Sequence, residues 1–342
     1  MRIGIPREVK DGEFRVALTP RGVAALRDVV VEPGAGRGVG FSDADYVAAG
    51  ATLGDAWQCE LVVKVKELQP AEYAKPRRGQ TVRGFQHFAP DPELLDAALA
   101  SGATFIAYET VGQRDARLPI LAPMSAIAGR LAVQVGAWCL QKQNGGSGVL
   151  LSGLEGVPPG KVAILGAGNV GANALAVAHG LAASITVFAR SDRRFGELRR
   201  RYPAADYRTT LEAAVVADAD LIIGGVLTPG QLSPKLITRA MLAGMRPGSA
   251  LVDVGIDQGG IAETSRPTSH SDPIYIAEGV VHYCVPNMPA ACARTASLAL
   301  ERAVLPYAQM LAANRMDDDL GTGVQVRDGK VVHAQLAKDT GR

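Results

Sequence analysis

Along most of the chain, short runs of β-branched and aliphatic residues alternate with stretches whose apolar positions recur at helical spacing. This alternation predicts the α/β class, with parallel strands joined by crossover helices. In the first third, strands are expected at Arg2 to Ile5, Val29 to Glu32, Glu60 to Val65, Val82 to His87 and Thr104 to Tyr108. Helices fit between them, among them Thr19 to Arg27, and Pro92 to Ala100 capped by Asp91. Ser125 to Gln141 is apolar on most faces and free of proline, so it is expected as a long buried helix leaving a first domain. Asn144-Gly-Gly-Ser-Gly148 and Pro158-Pro-Gly160 then punctuate the chain. Further strands are expected at Lys161 to Leu165, Ser184 to Ala189, Asp220 to Gly224, Ala250 to Ile256 and Val280 to Val285. The tail after Thr295 reads as helical again and is expected to return to the first domain. The domains are thus 1–123 joined by 296–342, and 124–295.

Composition adds limits to this picture. A length of 342 residues exceeds what one core usually serves, and 47% hydrophobic content suffices for two. With 36 Lys and Arg against 34 Asp and Glu, the charge gives no electrostatic case for a nucleic-acid or membrane partner. Cys59, Cys139, Cys284 and Cys292 are far apart with no C-x-x-C spacing, which argues against a zinc site and a disulfide framework, and no metal is expected. The N-terminus turns charged before an apolar signal region could form, and no later stretch offers about 18 uncharged apolar residues. A cytoplasmic location is expected.

Val162-Ala-Ile-Leu-Gly-Ala-Gly-Asn-Val-Gly171 joins an apolar strand to a helical run and sets Gly166, Gly168 and Gly171 in G-x-G-x-x-G register, with Asn169 and Val170 between the last two. In that context the first glycine permits a tight turn, the second lets the backbone approach a pyrophosphate, and the third lets the helix pack on the strand. The helix N-terminus then faces the phosphates. The bland alternative is a glycine-rich turn without a ligand. At the end of the next strand, where an NAD site usually places an acid for the ribose hydroxyls, stands Ala189, followed by Arg190, Ser191, Asp192, Arg193 and Arg194. Guanidinium groups and a hydroxyl suit a 2′-phosphate, so NADP(H) is expected to be preferred, with NAD(H) as the alternative. Against this stands the reading of these arginines as the solvated face of a helix that also carries Arg199, Arg200 and Arg201.

In open α/β sheets, ligands bind beyond the carboxyl ends of the strands. Lys66, His87, Asp257 and Asn287 close or follow expected strands, and Arg15 lies in the loop after the first. Singly, Lys64 and Lys66 read as a solvated strand face, His87 as a core histidine and Asp257 as a helix cap. Together they supply cations for a carboxylate and a carbonyl, an imidazole and a carboxylate, which is what 2-oxo acid chemistry requires.

Met1-Arg-Ile-Gly-Ile-Pro-Arg-Glu8, Phe14-Arg-Val-Ala-Leu-Thr-Pro20, Leu61-Val-Val-Lys-Val-Lys-Glu67, Ala107-Tyr-Glu-Thr110, Leu121-Ala-Pro-Met-Ser125, Val252-Asp-Val-Gly-Ile-Asp-Gln-Gly-Gly260 and His282-Tyr-Cys-Val-Pro-Asn-Met-Pro289 resemble the bacterial alanine dehydrogenases almost end to end. The resemblance implies two Rossmann-like domains: a substrate domain from the N-terminal third plus the tail, and a dinucleotide-binding domain between them, with a cleft that closes on substrate. It implies reversible reductive amination of a small 2-oxo acid, with pyruvate, ammonia and L-alanine as partners. Arg15 and Lys66 would hold the substrate carboxylate and carbonyl, while His87 and Asp257 would handle proton transfer. Phe85, Leu121 and Met124 would border the substrate side chain, with Asn287 nearby. Ser125, Val226, Leu227, Asp257, Asn287 and Met288 would join the glycine loop at the cofactor. A homo-oligomer, hexamer or dimer, is implied as well. This chain departs from the family at Ala189 and at Ala126, which stands where a glutamate is common. The alternatives are the soluble α subunit of a proton-translocating transhydrogenase, a non-catalytic NADPH-binding protein, and an enzyme of the same chemistry acting on a larger 2-oxo acid or a cyclic imine.

Overall fold

The computed structural model describes residues 1–115, 117–226 and 233–342. By their contacts these form two compact units, Met1–Met124 with Ala290–Arg342, and Ser125–Pro289. The first unit opens with six parallel strands: β1 (Ile3–Ile5), β2 (Val29–Val31), β3 (Thr52–Leu53), β4 (Leu61–Val63), β5 (Thr81–Gly84) and β6 (Thr104–Ala107). Their order across the sheet is β3-β2-β1-β4-β5-β6, so the chain winds outward from β1 first to one edge and then to the other. β1, β2 and β4 are wholly buried apolar triplets or nearly so, as expected of parallel strands covered on both faces. On one face, Trp57, Val62, Leu68, Val82, Phe88 and Phe105 pack with Leu94 and Leu95 of the helix Pro92–Ser101. That helix starts as expected: the Asp91 carboxylate accepts the Leu94 amide at 3.0 Å, and left-handed Gly102 ends it. The helix expected over Thr19 to Arg27 is only Pro20–Ala24, because the chain must turn at left-handed Asp28, whose carbonyl accepts the Ile3 amide, to enter β2.

The second unit holds β7 (Lys161–Leu165), β8 (Ser184–Phe188), β9 (Asp206–Arg208), β10 (Leu221–Gly224), β11 (Ala250–Asp253), β12 (Ile274–Ala277) and β13 (Val280–Tyr283). Six of these are parallel in the order β9-β8-β7-β10-β11-β13, and β12 closes the edge antiparallel to β13. The helix Leu121–Cys139 begins four residues before the expected Ser125, since Pro123 is tolerated in a first turn. Its Gly136 lies against the Leu221 side chain, where a Cβ would come within 2.6 Å.

After the helix Ala293–Ala312, the tail forms the hairpin β14 (Val324–Arg327) and β15 (Lys330–Val331), and β14 adds to β6 in antiparallel sense. The helical pattern expected after Thr295 therefore holds for Ala293–Ala312 and not for the hairpin that follows. The strand residues Val324 and Val326 are separated by one polar position, a period-2 signal too brief to stand out from its charged surroundings. Among the described residues, no helix is long and apolar enough to cross a membrane.

Candidate active site

In the first unit the expected groups follow the carboxyl ends of β1, β4 and β5. Arg15, on the loop after β1, is 2% exposed. Glu13 grips it through two parallel bonds, Nε to Oε1 at 2.7 Å and Nη2 to Oε2 at 2.6 Å, while Nη1 lies 3.3 Å from the Met124 sulfur. The loop itself is pinned from the helix Ala293–Ala312. Ser297 Oγ accepts the Val16 amide, and the buried Glu301 carboxylate accepts the Thr19 and Gly22 amides and the Arg21 side chain.

Lys66, three residues past β4, is buried and pairs with Glu67 at 3.1 Å. Glu67 also pairs with Lys10. Burial would raise the Glu67 carboxyl, but Lys66 and then Lys10 outweigh it and hold it down at about 2. Lys64 is 1% exposed and ends between Glu8 at 3.3 Å and Glu72 at 2.8 Å. Neither lysine lies on a solvated strand face, so that bland reading is corrected: carboxylates make their burial tolerable, Glu67 from the next residue, Glu72 from the segment that follows, and Glu8 from the loop after β1.

β5 stops at Gly84, short of the expected His87. Glu109, just past β6, accepts the Gln86 amide with both oxygens at 3.2 Å and the His87 amide at 2.7 Å, so these amides leave the ladder for a carboxylate. His87 takes a left-handed φ of +48°, and its Nδ1 stands 4.0 Å from Glu109 Oε1. Its ring, partly exposed, lies nearly parallel to that of buried Phe85 at 6.1 Å. Leu121 is half-buried at the start of the helix whose fourth residue is Met124.

In the second unit the glycine loop has the three properties its spacing predicts. Gly166 has φ +109°, which only glycine adopts without strain. A Cβ on Gly171 would stand 1.7 Å from the Gly166 carbonyl oxygen, so the helix Asn169–Gly180 sits hard against the turn. Gly168, the extended N-cap of that helix, has nothing within 4 Å of where its Cβ would be. A helix N-terminus with open space before a bare glycine fits a pyrophosphate. Val170 packs beside Gly225, next to Val226, and Ser125 is half-buried in the helix Leu121–Cys139; Leu227 lies outside the described residues.

Ala189 follows β8 directly and donates its amide to Arg208 on β9. Arg190, Ser191 and Arg193 are exposed. Arg194 pairs with Glu197 at 3.7 Å, and Arg199 lies over the Phe195 and Tyr207 rings, so the helix Phe195–Arg201 uses part of its own basic face. Asp257 is exposed on the turn Val254–Gln258. Asn287 is left-handed at φ +59°, and Met288 beside it is buried.

Sequence reasoning missed the acids that hold this machinery: Glu13, Glu67, Glu109 and Asp253. Asp253 ends β11 and shapes the loop bearing Asp257, accepting Ser265 Oγ at 2.6 Å and the Ile261 amide at 2.7 Å. Burial pushes its carboxyl up against those bonds. The available signal was a lone acid at the end of an apolar run, present in Val252-Asp253 and Tyr108-Glu109.

A doubly wound sheet carrying a phosphate-cradling turn, and a second sheet of the same winding with buried cations and an imidazole past its strands, are the parts of a dinucleotide-dependent oxidoreductase. Family models for the alanine dehydrogenase/PNT N-terminal and C-terminal domains match residues 4–128 and 132–334. The chain is 48% identical to the alanine dehydrogenase of Halomonas elongata and 44% identical to that of Mycobacterium tuberculosis, each alignment covering 100% of this chain and 97% of the relative. A solved L-alanine dehydrogenase superposes with TM-score 0.94 at 45% identity over 99% of both chains. A transhydrogenase from Sinorhizobium meliloti does so with TM-score 0.85 at 25% identity, over 97% of this chain and 100% of that one. This chain belongs to the alanine dehydrogenase/PNT family.

Proposed function

We propose that the protein is an amino-acid dehydrogenase that converts pyruvate, ammonium, NAD(P)H and a proton into L-alanine, NAD(P)⁺ and water, and runs the reverse. The observation that carries this reading is the pair of buried cations Arg15 and Lys66, each held by its own carboxylate, with the imidazole of left-handed His87 acting on the charge of the same Glu67 that pairs with Lys66. Arg15, its plane fixed by Glu13, binds the 2-oxo acid's carboxylate. Lys66 donates to the 2-oxo oxygen and makes the carbonyl carbon electrophilic toward ammonia. His87 delivers the proton with which the hydroxyl of the amine adduct leaves as water, and the Asp257 carboxylate offsets the positive charge of the iminium that remains. The reduced nicotinamide supplies the hydride that turns the iminium into the amino acid. Phe85, Leu121 and Met124 favour a methyl side chain. Residues 1–124 with 290–342 then act as the substrate domain and 125–289 as the dinucleotide domain, where Ser125, Val226, Asn287 and Met288 border the cofactor.

The test follows cofactor oxidation with ammonia and a panel of 2-oxo acids. Pyruvate should give the highest kcat/KM; a larger acid or a cyclic imine in first place would displace it, and no turnover with any acid would favour a binding or transhydrogenase role.

NADPH is the preferred cofactor in this reading. An acid at position 189 would repel the 2′-phosphate, its absence removes that repulsion, and exposed Arg190 and Arg193 add attraction. A charge-assisted bond is worth about 1.5 to 3 kcal/mol, roughly ten- to a hundredfold in affinity, less where solvent screens it. Ala189→Asp with Arg190→Ile is expected to erase or reverse the preference in kcat/KM for the two cofactors. A parent that favours NADH would reduce the arginines to a solvated helix face. The free thiols at all four cysteines support a reducing, cytoplasmic setting. Exposed Leu150, Leu154 and Val157, beside the bridge between Leu154 and Val157, support a homo-oligomer, which light scattering would measure.

A further inference from the structure

Arg83, in the middle of β5, lies inside the first unit at 0% exposure, and none of its three guanidinium nitrogens makes a well-formed hydrogen bond; the Tyr108 hydroxyl is the acceptor that acts on it, and no carboxylate pairs with it. The other buried cations among the described residues all have carboxylates: Arg15 has Glu13, Lys64 has Glu8 and Glu72, and Lys66 has Glu67. Arg83 is flanked in register by Val63 and Ile106, and its Cζ lies 5.1 Å from the centre of the Tyr108 ring. The groups that bear on its charge are two phenols, Tyr108 and Tyr307 of the helix Ala293–Ala312. The Tyr108 hydroxyl is itself buried and has no well-formed bond, Arg83 being the group that bears on it.

A guanidinium stays charged at any pH the fold survives, and a buried charge with no counter-charge is strongly unfavourable. Tyr108 does not neutralise it, because burial, opposed in part by Arg83, pushes the phenol up to about 12. Water answers the need poorly. Each water that accepts from Arg83 brings two O–H donors of its own into a cluster that consists mainly of donors. An anion accepts from every one of them and cancels the charge. A singly charged, spherical ion matches one guanidinium, whereas sulfate or phosphate brings more charge to dehydrate than Arg83 can balance.

We propose that Arg83 and the Tyr108 hydroxyl form an internal site for a small monovalent inorganic anion of the halide class, bound as part of the folded first unit. Tyr108 meets the Phe85 ring edge to face at 5.4 Å, but neither Arg83 nor Tyr108 is among the groups assigned above to substrate, and the inference does not depend on that assignment.

The experiment takes the full-length protein, dialysed free of halide into sodium gluconate, and follows thermal unfolding during titration with sodium chloride or bromide at fixed ionic strength. The midpoint should rise saturably, by roughly 2 to 5 °C per tenfold increase around and above half-saturation. Arg83→Met, close in volume and uncharged, should lose that dependence. A parent with no saturable halide response overturns the proposal, and so does an Arg83→Met protein that responds as the parent does. Should Arg83→Met fail to fold, Tyr108→Phe keeps the ring and removes one donor, and is expected to weaken halide binding several-fold. Anomalous diffraction from parent crystals at saturating bromide decides independently: a peak against the Arg83 guanidinium supports the site, and its absence refutes it.

Discussion

At the scale of one residue, the Glu67 carboxyl illustrates how the acids set the chemistry. Its value in the fold, about 2, lies below the ordinary 4.5. It therefore contributes stability that is fully present above about pH 4.5 and is lost as pH falls toward 2. Glu67→Gln should be less stable than the parent at neutral pH, with the gap closing as acid is added. Denaturant titrations at pH 7 and pH 3 measure this, and an equal gap at both would refute the account. Lys64 and Lys66 should separate cleanly. Lys64→Met leaves Glu8 and Glu72 buried without their cation, at a cost of about 3–5 kcal/mol, yet the folded fraction should turn over normally. Lys66→Ala should lose turnover, and its stability should fall less than that of Lys64→Met, because Glu67 keeps Lys10 as a second cation. His87→Ala should lower turnover about a hundredfold or more with cofactor affinity intact. The cations and the imidazole were legible because they interrupt apolar runs at strand ends. Their partners were not, because nothing in the spacing of Glu8, Lys64 and Glu72 shows that the fold brings them together.

Elements were legible in proportion to their burial. β10 is an unbroken buried run and β7 is one after exposed Lys161, and their positions are legible almost to the residue. β3 is two exposed residues and β12 is a partly exposed edge strand, so neither carries a periodic signal. β5 was read three residues too long because Phe85 looks like strand, whereas Glu109 draws the following amides out of the sheet. The glycine loop makes a sharper prediction. Gly171→Ala drives a methyl into the Gly166 carbonyl and should lower the unfolding midpoint markedly. Gly168→Ala meets nothing, so the midpoint should hold while cofactor affinity falls. Calorimetry with a cofactor titration of both variants tests the pair; matching affinity losses with matching midpoints would mean the two glycines share one role.

For the whole molecule, the two sheets repeat one winding, but only the second unit is a single stretch of chain, Ser125–Pro289. The first is completed by Ala290–Arg342, which brings β14 to β6 and supplies Ser297 and Glu301 to the loop that carries Arg15. A chain ending at Pro289 should therefore keep residues 125–289 resistant to limited proteolysis while 1–124 is digested. Protection of 1–124 in that shortened chain would refute the dependence. The return of the tail also sets a timetable during synthesis. Val16 and Thr19 wait for partners 281 and 282 positions downstream. At about 5–20 residues per second, that wait is roughly a quarter of a minute to a minute. Throughout it, the earliest-made segment remains exposed to chaperones and proteases, while the segment translated after it already has all it needs to fold.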